Sequence, residues 1–83
     1  MKPAPPGWQV DLPATLRNER QFASYSEAAA FVTRLALLAE RLNHHPDIHW
    51  QYTRVTTRLT THDADKITEL DHQFAAVVNG WFA

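Results

Sequence analysis

The chain has 83 residues, with eight Lys and Arg, nine Asp and Glu, no cysteine and a formal net charge of -1. This length predicts one small domain, for which oligomerisation is an expected source of added stability, and the lack of cysteine excludes disulfides and thiolate zinc sites. The balanced, interspersed charge predicts no nucleic-acid surface. We expect a soluble cytoplasmic protein, because the sequence has neither a membrane-length apolar run nor a signal-peptide core.

The first seven residues, MKPAPPG, contain three prolines and one glycine. Because proline lacks a backbone N–H, residues 1–7 are predicted to form a flexible Pro-rich lead-in, and residues 8–83 a single domain. The domain is predicted to begin with a strand whose apolar residues alternate with polar ones, namely Trp8, Val10 and Leu12. Pro13 ends this strand, and a weaker segment over residues 16–22 is interpreted as its hairpin partner.

A helix is predicted over residues 24–43, because its first turn has the S-x-x-E spacing of a capping box. Its apolar residues recur at intervals of three and four and form one broad face. They are Ala28, Phe31, Val32, Leu35, Leu38, Ala39 and Leu42. Asn43 fits a helix exit and Pro46 prevents continuation of the helix. His44 and His45 are therefore predicted to leave the C-terminal end of this helix.

Two further strands are predicted over residues 48–55 and 58–61, where aromatic and β-branched residues are abundant, with a turn at residues 56–57. A loop follows, and a second helix is predicted to open at Thr68, with Asp71 at capping-box spacing. The apolar residues of this helix are Leu70, Phe74, Val77, Val78 and Trp81. The order strand-strand-helix-strand-strand-helix predicts an α+β fold, in which the helices pack on one face of a four-stranded antiparallel sheet.

The chain has five histidines, and two of them, His44 and His45, are adjacent. The negative end of the helix dipole favours their protonated form, and Glu40 is predicted to lie one turn back on the same face as His44. A protonated histidine suits a general acid. His62 follows the fourth predicted strand, and its loop can reach the same end of the sheet. Such a group of histidines predicts acid/base chemistry, with one giving a proton and another taking one.

Two other interpretations apply to these histidines. Three histidines and a carboxylate suit zinc, but adjacent residues in an extended chain point to opposite sides and the helical H-E-x-x-H motif is absent, so no metal ligand is predicted. The other interpretation is that the histidines only cap a helix or cover the surface. It is preferred for His72 and His49, whereas for the doublet of His44 and His45 the spacing alone leaves it open.

The segment AERLNHHPDIHWQYTRVTTRLTTHDADKITELD resembles the pterin-4a-carbinolamine dehydratase family, and the similarity extends from about Trp8 to the C-terminus. The family pattern is an acidic residue, three others, His-His-Pro, an aromatic residue some six positions later, a strand ending in Thr-His, and an Asp at the start of the last helix. The matching residues are Glu40, His44, His45, Pro46, Tyr52, Thr61, His62 and Asp71. The resemblance implies the same sheet-and-helix fold, without the usual N-terminal helix of the family.

The resemblance implies an enzyme that removes water from a 4a-hydroxytetrahydropterin and gives the quinonoid dihydropterin. The pterin is the substrate, and no metal or organic cofactor is implied. The implied acid/base catalysts are His44 and His45, with His62 as a partner in proton transfer. Glu40 is implied to orient or charge-stabilise the cluster, while the division of roles among the histidines stays open. The implied substrate-binding residues are Pro46, Tyr52, Thr61 and Asp71. The implied assembly is a homodimer or homotetramer.

Three positions depart from the family pattern. Ile48 replaces an aromatic residue that can flank the pterin, Lys66 replaces a glycine, and Asn43 replaces an acidic residue. Loss of aromatic stacking costs about 1 kcal/mol of ligand binding. These changes leave the histidines in place but alter the pocket walls, so the alternative function is a non-catalytic dehydratase-like protein. Its implied partner is the Rubisco large subunit, for which it would be an assembly factor in carboxysome-containing bacteria. Of the two functions, the enzyme is preferred.

Overall fold

The computed structural model describes residues 2–82; Met1, in the predicted lead-in, and Ala83, at the end of the predicted domain, lie outside the described residues. Its elements are β1 (Gln9–Asp11), β2 (Thr15–Gln21), α1 (Tyr25–Leu42), β3 (Asp47–Gln51), β4 (Arg54–Leu59) and α2 (Glu69–Gly80). The strands form one four-stranded antiparallel sheet in the order β1-β2-β4-β3. The predicted order of elements and the α+β fold are confirmed. Within residues 2–82, neither helix is both long and apolar enough to cross a membrane.

The hydrophobic core lies between the two helices and one face of the sheet. Because side chains alternate along a strand, β2 and β4 direct apolar residues to this face and charged residues to the other. The inward residues Leu16, Val55 and Leu59 are fully buried, whereas Glu19 and Arg58 are exposed. The helices complete the core with Ala28, Phe31, Leu35, Leu38, Ala39, Phe74, Ala75 and Val78. The predicted packing of both helices on one face is therefore confirmed.

The hairpin between β3 and β4 turns at Tyr52 and Thr53, so the predicted turn at residues 56–57 is wrong. Tyr52 has a φ of 52°, in the left-handed region that non-glycine residues enter only at a cost. Thr56 and Thr57 instead lie in β4, buried between β2 and β3. β-branched threonine suits the centre of a sheet, and the sequence QYTR carries no strong turn signal such as Asn-Gly.

Residues 2–8 make hydrogen bonds to α2, and the predicted flexibility of residues 1–7 stays a prediction. Asn79 of α2 makes two of these contacts: its Nδ2 donates to the carbonyl of Pro6, and its Oδ1 accepts from Nε1 of Trp8, both at 3.0 Å. Trp8 is 5 % exposed and belongs to the core. β1 begins at Gln9, one residue later than predicted. Proline lacks a backbone donor but keeps its carbonyl acceptor, and the buried indole anchors the segment beside it.

His72 lies in α2 and is 8 % exposed, so its predicted surface position is wrong. The buried side of α2 contains two polar residues, Asp71 and His72, in addition to apolar ones. His49 is exposed on β3, as the surface interpretation of this histidine predicts.

Candidate active site

The exit from α1 separates the two adjacent histidines. Asn43 has a φ of 49° and a ψ of 46°, in the left-handed region that asparagine tolerates, and it ends the helix as its C-cap. The backbone N–H of His44 donates to the carbonyl of Ala39 at 3.0 Å, in the last turn of the helix. After this turn His44 is buried and His45 is exposed.

His44 forms a buried pair with a carboxylate of α2. Its Nε2 lies 2.6 Å from Oδ1 of Asp71, whose side chain is fully buried. The other carboxylate oxygen, Oδ2, accepts hydrogen bonds from the hydroxyl of Thr61 at 2.9 Å and from the backbone N–H of Thr68 at 2.8 Å. The capping spacing places Asp71 in the first turn of α2, where it contacts both the helix N-cap and the histidine. A buried network whose members are all hydrogen-bonded is rigid.

Glu40 contacts the second histidine, His45, and not His44 as the helical spacing predicts. Its Oε1 lies 3.4 Å from Nε2 of His45, and both side chains are largely exposed. The prediction assumed continued helical spacing, but α1 ends at Leu42 and the left-handed Asn43 turns His44 away from that face. A long, solvated contact of this kind contributes only about 0–1 kcal/mol, so Glu40 orients His45 weakly.

A cleft with a volume of about 260 Å³ opens beside the buried pair. The predicted site residues that line it are His44, His45, Thr61 and His62. It also contains residues that were not predicted as site residues, namely Asn43, Thr60, Asp63 and Leu70. The loop that carries His62 is closed by a hydrogen bond from the backbone N–H of Thr61 to the carbonyl of Lys66 at 3.2 Å. The structure therefore places His62 at the same end of the sheet as the histidine doublet.

Three predicted substrate-binding residues do not line this cleft: Asp71, which is fully buried against His44, Tyr52 and Pro46. Tyr52 is in the turn after β3, at the opposite end of that strand from His45, and is 71 % exposed. Its ring lies 6.3 Å from the ring of Tyr25, which is the first residue of α1, whereas His44 and His45 follow the last residue of α1. Pro46 immediately precedes β3, is half-buried and does not line the cleft. Within one chain Tyr52 therefore does not line the cleft, and its contact with the substrate stays a prediction.

Two of the three departures from the family pattern also lie outside the cleft. Ile48 is half-buried and packs against the hydrophobic core from β3. Lys66 is exposed, and its backbone carbonyl accepts the hydrogen bond that closes the loop of His62. Asn43 does line the cleft. Of these three positions, only Asn43 therefore changes the wall of the cleft directly.

Thr68 belongs to the network around His44 although it was not predicted as a site residue. Its hydroxyl oxygen lies 2.6 Å from that of Thr61. The signal for it was the T-x-x-D spacing, which identifies Thr68 as the N-cap of α2 and so brings it close to Asp71. What the spacing alone does not show is that the same carboxylate also reaches a histidine.

The two histidines of the doublet contact different carboxylates, since His44 meets Asp71 and His45 meets Glu40. Within residues 2–82, no three histidine, aspartate or glutamate side chains are grouped as a metal site requires. Beside the cleft, the buried His44 is held by Asp71, whereas His45 and His62 are exposed to solvent.

Comparison with known proteins identifies the family. The family model described as "Pterin 4 alpha carbinolamine dehydratase" matches residues 1–81. The chain belongs to this family. A relative from Synechococcus sp. (strain WH7803), named "Putative pterin-4-alpha-carbinolamine dehydratase", is 47 % identical over 74 residues, which cover 89 % of this chain and 78 % of the relative. A relative of the same name from Chloroflexus aurantiacus (strain ATCC 29366 / DSM 635 / J-10-fl) is 45 % identical over 74 residues, with the same shares covered.

Two solved structures share the fold of this family member. The crystal structure of a "transcriptional coactivator/pterin dehydratase" from Brucella melitensis is 38 % identical, with a TM-score of 0.85 over 90 % of this chain and 81 % of that one. A pterin dehydratase-like protein identified as a RuBisCO assembly factor in the alpha-carboxysome is 31 % identical, with a TM-score of 0.72 over 88 % of this chain and 83 % of that one. The resemblance seen in the sequence and the predicted fold class are both confirmed.

Proposed function

We propose that this family member catalyses the loss of water from a 4a-hydroxytetrahydropterin to give the quinonoid dihydropterin. The observation that carries the proposal is the buried pair of His44 and Asp71 beside a cleft that also contains His45 and His62. Histidine is the side chain that ordinarily gains and loses its proton near neutral pH, so this set suits proton transfer in both directions. The match to the dehydratase family over residues 1–81 supports the same reaction.

The reaction breaks one carbon–oxygen bond and one ring nitrogen–hydrogen bond. The hydroxyl leaves C4a with the bonding electron pair and takes a proton from an acid, which gives water. A base removes the proton from the ring nitrogen, and the electron pair of that N–H bond forms the carbon–nitrogen double bond. One protonated and one neutral histidine supply the acid and the base, so both proton transfers are accounted for without a metal or organic cofactor.

We further propose that the protein acts in the cytoplasm as a homodimer or homotetramer. A domain of 83 residues buries a modest share of its surface, so association between copies adds stability that a single core provides with difficulty. Two large side chains, Leu37 and Tyr52, are 66 % and 71 % exposed. Association that covers such side chains removes apolar surface from water, which favours it.

The proposed reaction is tested by the initial rate of 4a-hydroxytetrahydropterin dehydration with purified wild type, His45→Ala and His49→Ala. His45 is exposed, so its replacement leaves the core intact, and we expect the enzymatic rate to fall by about 10²–10⁴, the contribution of a general acid or base. His49→Ala is the matched control and should keep the wild-type rate, because His49 is exposed outside the cleft. A folded wild type that does not exceed the uncatalysed rate contradicts the proposal.

A second candidate function is protein assembly with the Rubisco large subunit as partner. It is supported by the similarity to the solved dehydratase-like protein that is identified as a RuBisCO assembly factor. In that case the folded protein would show no dehydration activity but would elute together with the Rubisco large subunit in size-exclusion chromatography. His45→Ala would retain this association, whereas under the first proposal it removes most of the activity.

A further inference from the structure

We propose that Thr68 is a positioning residue, which acts on His44 through two hydrogen-bonded neighbours. The neighbours are Thr61 and Asp71, and together they fix His44 in the tautomer that carries its hydrogen on Nε2. Nδ1 of His44 is then the nitrogen that exchanges a proton with the substrate. The role of Nδ1 in turnover rests on the proposed dehydratase function, whereas the tautomer is a property of the folded chain.

The direction of the hydrogen bonds between the two threonines follows from counting donors. Thr61 has one hydroxyl hydrogen and donates it to Oδ2 of Asp71 at 2.9 Å, because an ionised carboxylate only accepts. The contact of 2.6 Å between the hydroxyl oxygens of Thr61 and Thr68 must then use the hydrogen of Thr68. Thr68 thus donates to Thr61, and Thr61 donates to the carboxylate.

Asp71 is left with one oxygen for the histidine. Oδ2 accepts from the hydroxyl of Thr61 and from the backbone N–H of Thr68, so both of its lone pairs are occupied. The side chain is fully buried, and a buried acceptor requires a donor. For Oδ1 that donor is Nε2 of His44, at 2.6 Å. Nε2 therefore carries a hydrogen in both the neutral and the charged ring.

Nδ1 is the nitrogen of His44 that remains for chemistry. Among residues 2–82 it has no hydrogen-bond partner, and the side chain, 10 % exposed, forms part of the cleft wall. In the Nε2–H tautomer Nδ1 has a free electron pair and can take the proton from the ring nitrogen of the pterin. The negative charge of Asp71 lies 2.6 Å from the ring that then becomes positive. His44 is thus suited to be the base, with the exposed His45 and His62 as acids.

The tautomer is measured by NMR of the full-length protein labelled with ¹⁵N in its imidazole rings, at a pH where the neutral ring predominates. We expect His44 of the wild type to be in the Nε2–H form. In Thr68→Ala the hydroxyl of Thr61 loses its donor, so the Nδ1–H form of His44 should become detectable. The kcat for dehydration should fall about fivefold to tenfold with little change in KM. Thr68→Ser keeps the hydroxyl and should restore both values.

Ser24→Ala is the matched control, because Ser24 is the N-cap of α1 as Thr68 is of α2, but at the end of α1 remote from His44. It should lower stability and leave the tautomer and kcat at wild-type values; a purely structural role of Thr68 predicts the same for Thr68→Ala. An Nδ1–H form in the wild type, or an unchanged tautomer in Thr68→Ala, overturns the proposal. A wild type with the Nε2–H form, together with a changed tautomer in Thr68→Ala but no dehydration activity, supports the positioning role of Thr68 and contradicts only the proposed function.

Discussion

Asp71 fixes a helix and a functional group with one carboxylate. Its Oδ2 accepts the backbone N–H of Thr68 at the start of α2, and its Oδ1 contacts His44. The side chain is fully buried, and a buried acceptor that loses its hydrogen-bond donor costs about 1–3 kcal/mol. The N-terminus of α2 and the orientation of His44 are therefore coupled, and a change in one is expected to disturb the other.

We expect Asp71→Asn to reverse the tautomer of His44. The amide oxygen of Asn accepts from Thr61 and Thr68 as Oδ2 does, so its NH₂ group faces Nε2 of His44 and makes that nitrogen an acceptor. The hydrogen moves to Nδ1, and kcat should fall by up to about 10⁴-fold, as in the same change within a Ser-His-Asp triad. Steady-state kinetics and the ¹⁵N shifts of His44 check this result.

Asp47→Asn is the control for that change, because Asp47 is exposed at the start of β3 and does not line the cleft. It removes the same charge from the chain and should leave kcat within about twofold of the wild type, as expected for a surface substitution. The role given to Asp71 would be contradicted by an Asp71→Asn variant that is folded and as active as Asp47→Asn.

The positions of the candidate site histidines in the fold were predictable from the sequence to a greater extent than their hydrogen-bond partners. The helix exit and the Thr-His motif correctly brought His44, His45 and His62 to one end of the sheet. The partners differ because one backbone conformation, the left-handed turn at Asn43, decides which way each histidine points. Local spacing predicts where a helix ends, but not the carboxylate that a side chain meets beyond that end. Tyr52 illustrates the same limit, since its motif position does not reveal at which end of β3 it lies.

Among the elements, α1 was predictable because two independent signals agree. The capping spacing marks its start, and the apolar period of three to four residues marks its buried face. The β3–β4 turn was not predictable, because Tyr52 takes a left-handed conformation with no glycine or asparagine to signal it. The contacts of residues 2–7 were missed for a different reason: composition describes what a Pro-rich segment cannot form, and not what its carbonyls can accept.

The contact between α2 and the start of the chain predicts a measurable contribution of Asn79. In Asn79→Ala, Nε1 of Trp8 and the carbonyl of Pro6 both lose their hydrogen-bond partner. We expect the free energy of unfolding to fall by about 1–3 kcal/mol, since the buried indole donor is left unsatisfied. Urea denaturation followed by circular dichroism measures this change.

Gln73→Ala is the matched control, because Gln73 is an exposed amide in the same helix. Its replacement should change the free energy of unfolding by no more than about 0.5 kcal/mol. If Asn79→Ala were no more destabilising than Gln73→Ala, the contacts of Trp8 and Pro6 with α2 would have no energetic importance and the start of the chain would be flexible, as its composition indicates.

The molecule as a whole has a single core and a small stability. Its radius of gyration is 12.2 Å, and a compact chain of this length is expected to have about 12 Å. For 83 residues the free energy of unfolding is expected to be about 4–12 kcal/mol. One deletion in the core can therefore remove a large part of the total, and association between copies can add a comparable amount.

Substitutions of two leucines in α1 distinguish the stability that the core contributes from the stability that association between copies contributes. Leu35 is fully buried, whereas Leu37 is 66 % exposed. Leu35→Ala should lower the free energy of unfolding by about 2–5 kcal/mol at every protein concentration, because it leaves a cavity in the core. At low concentration Leu37→Ala should be within about 0.5 kcal/mol of the wild type.

The proposed oligomer adds a dependence on concentration, because association that involves only folded chains stabilises them by mass action. The melting temperature of the wild type should therefore rise with protein concentration, and the rise should be smaller in Leu37→Ala if a second copy covers this exposed side chain. Melting curves of the wild type and both variants over a hundredfold range of concentration test this. A melting temperature of the wild type that stays constant would contradict the proposed oligomer, and a Leu37→Ala variant as unstable as Leu35→Ala at the lowest concentration would contradict the exposure of Leu37. A rise that is equal in the wild type and Leu37→Ala would place the contact between copies elsewhere, on the other side chains that the single chain leaves exposed.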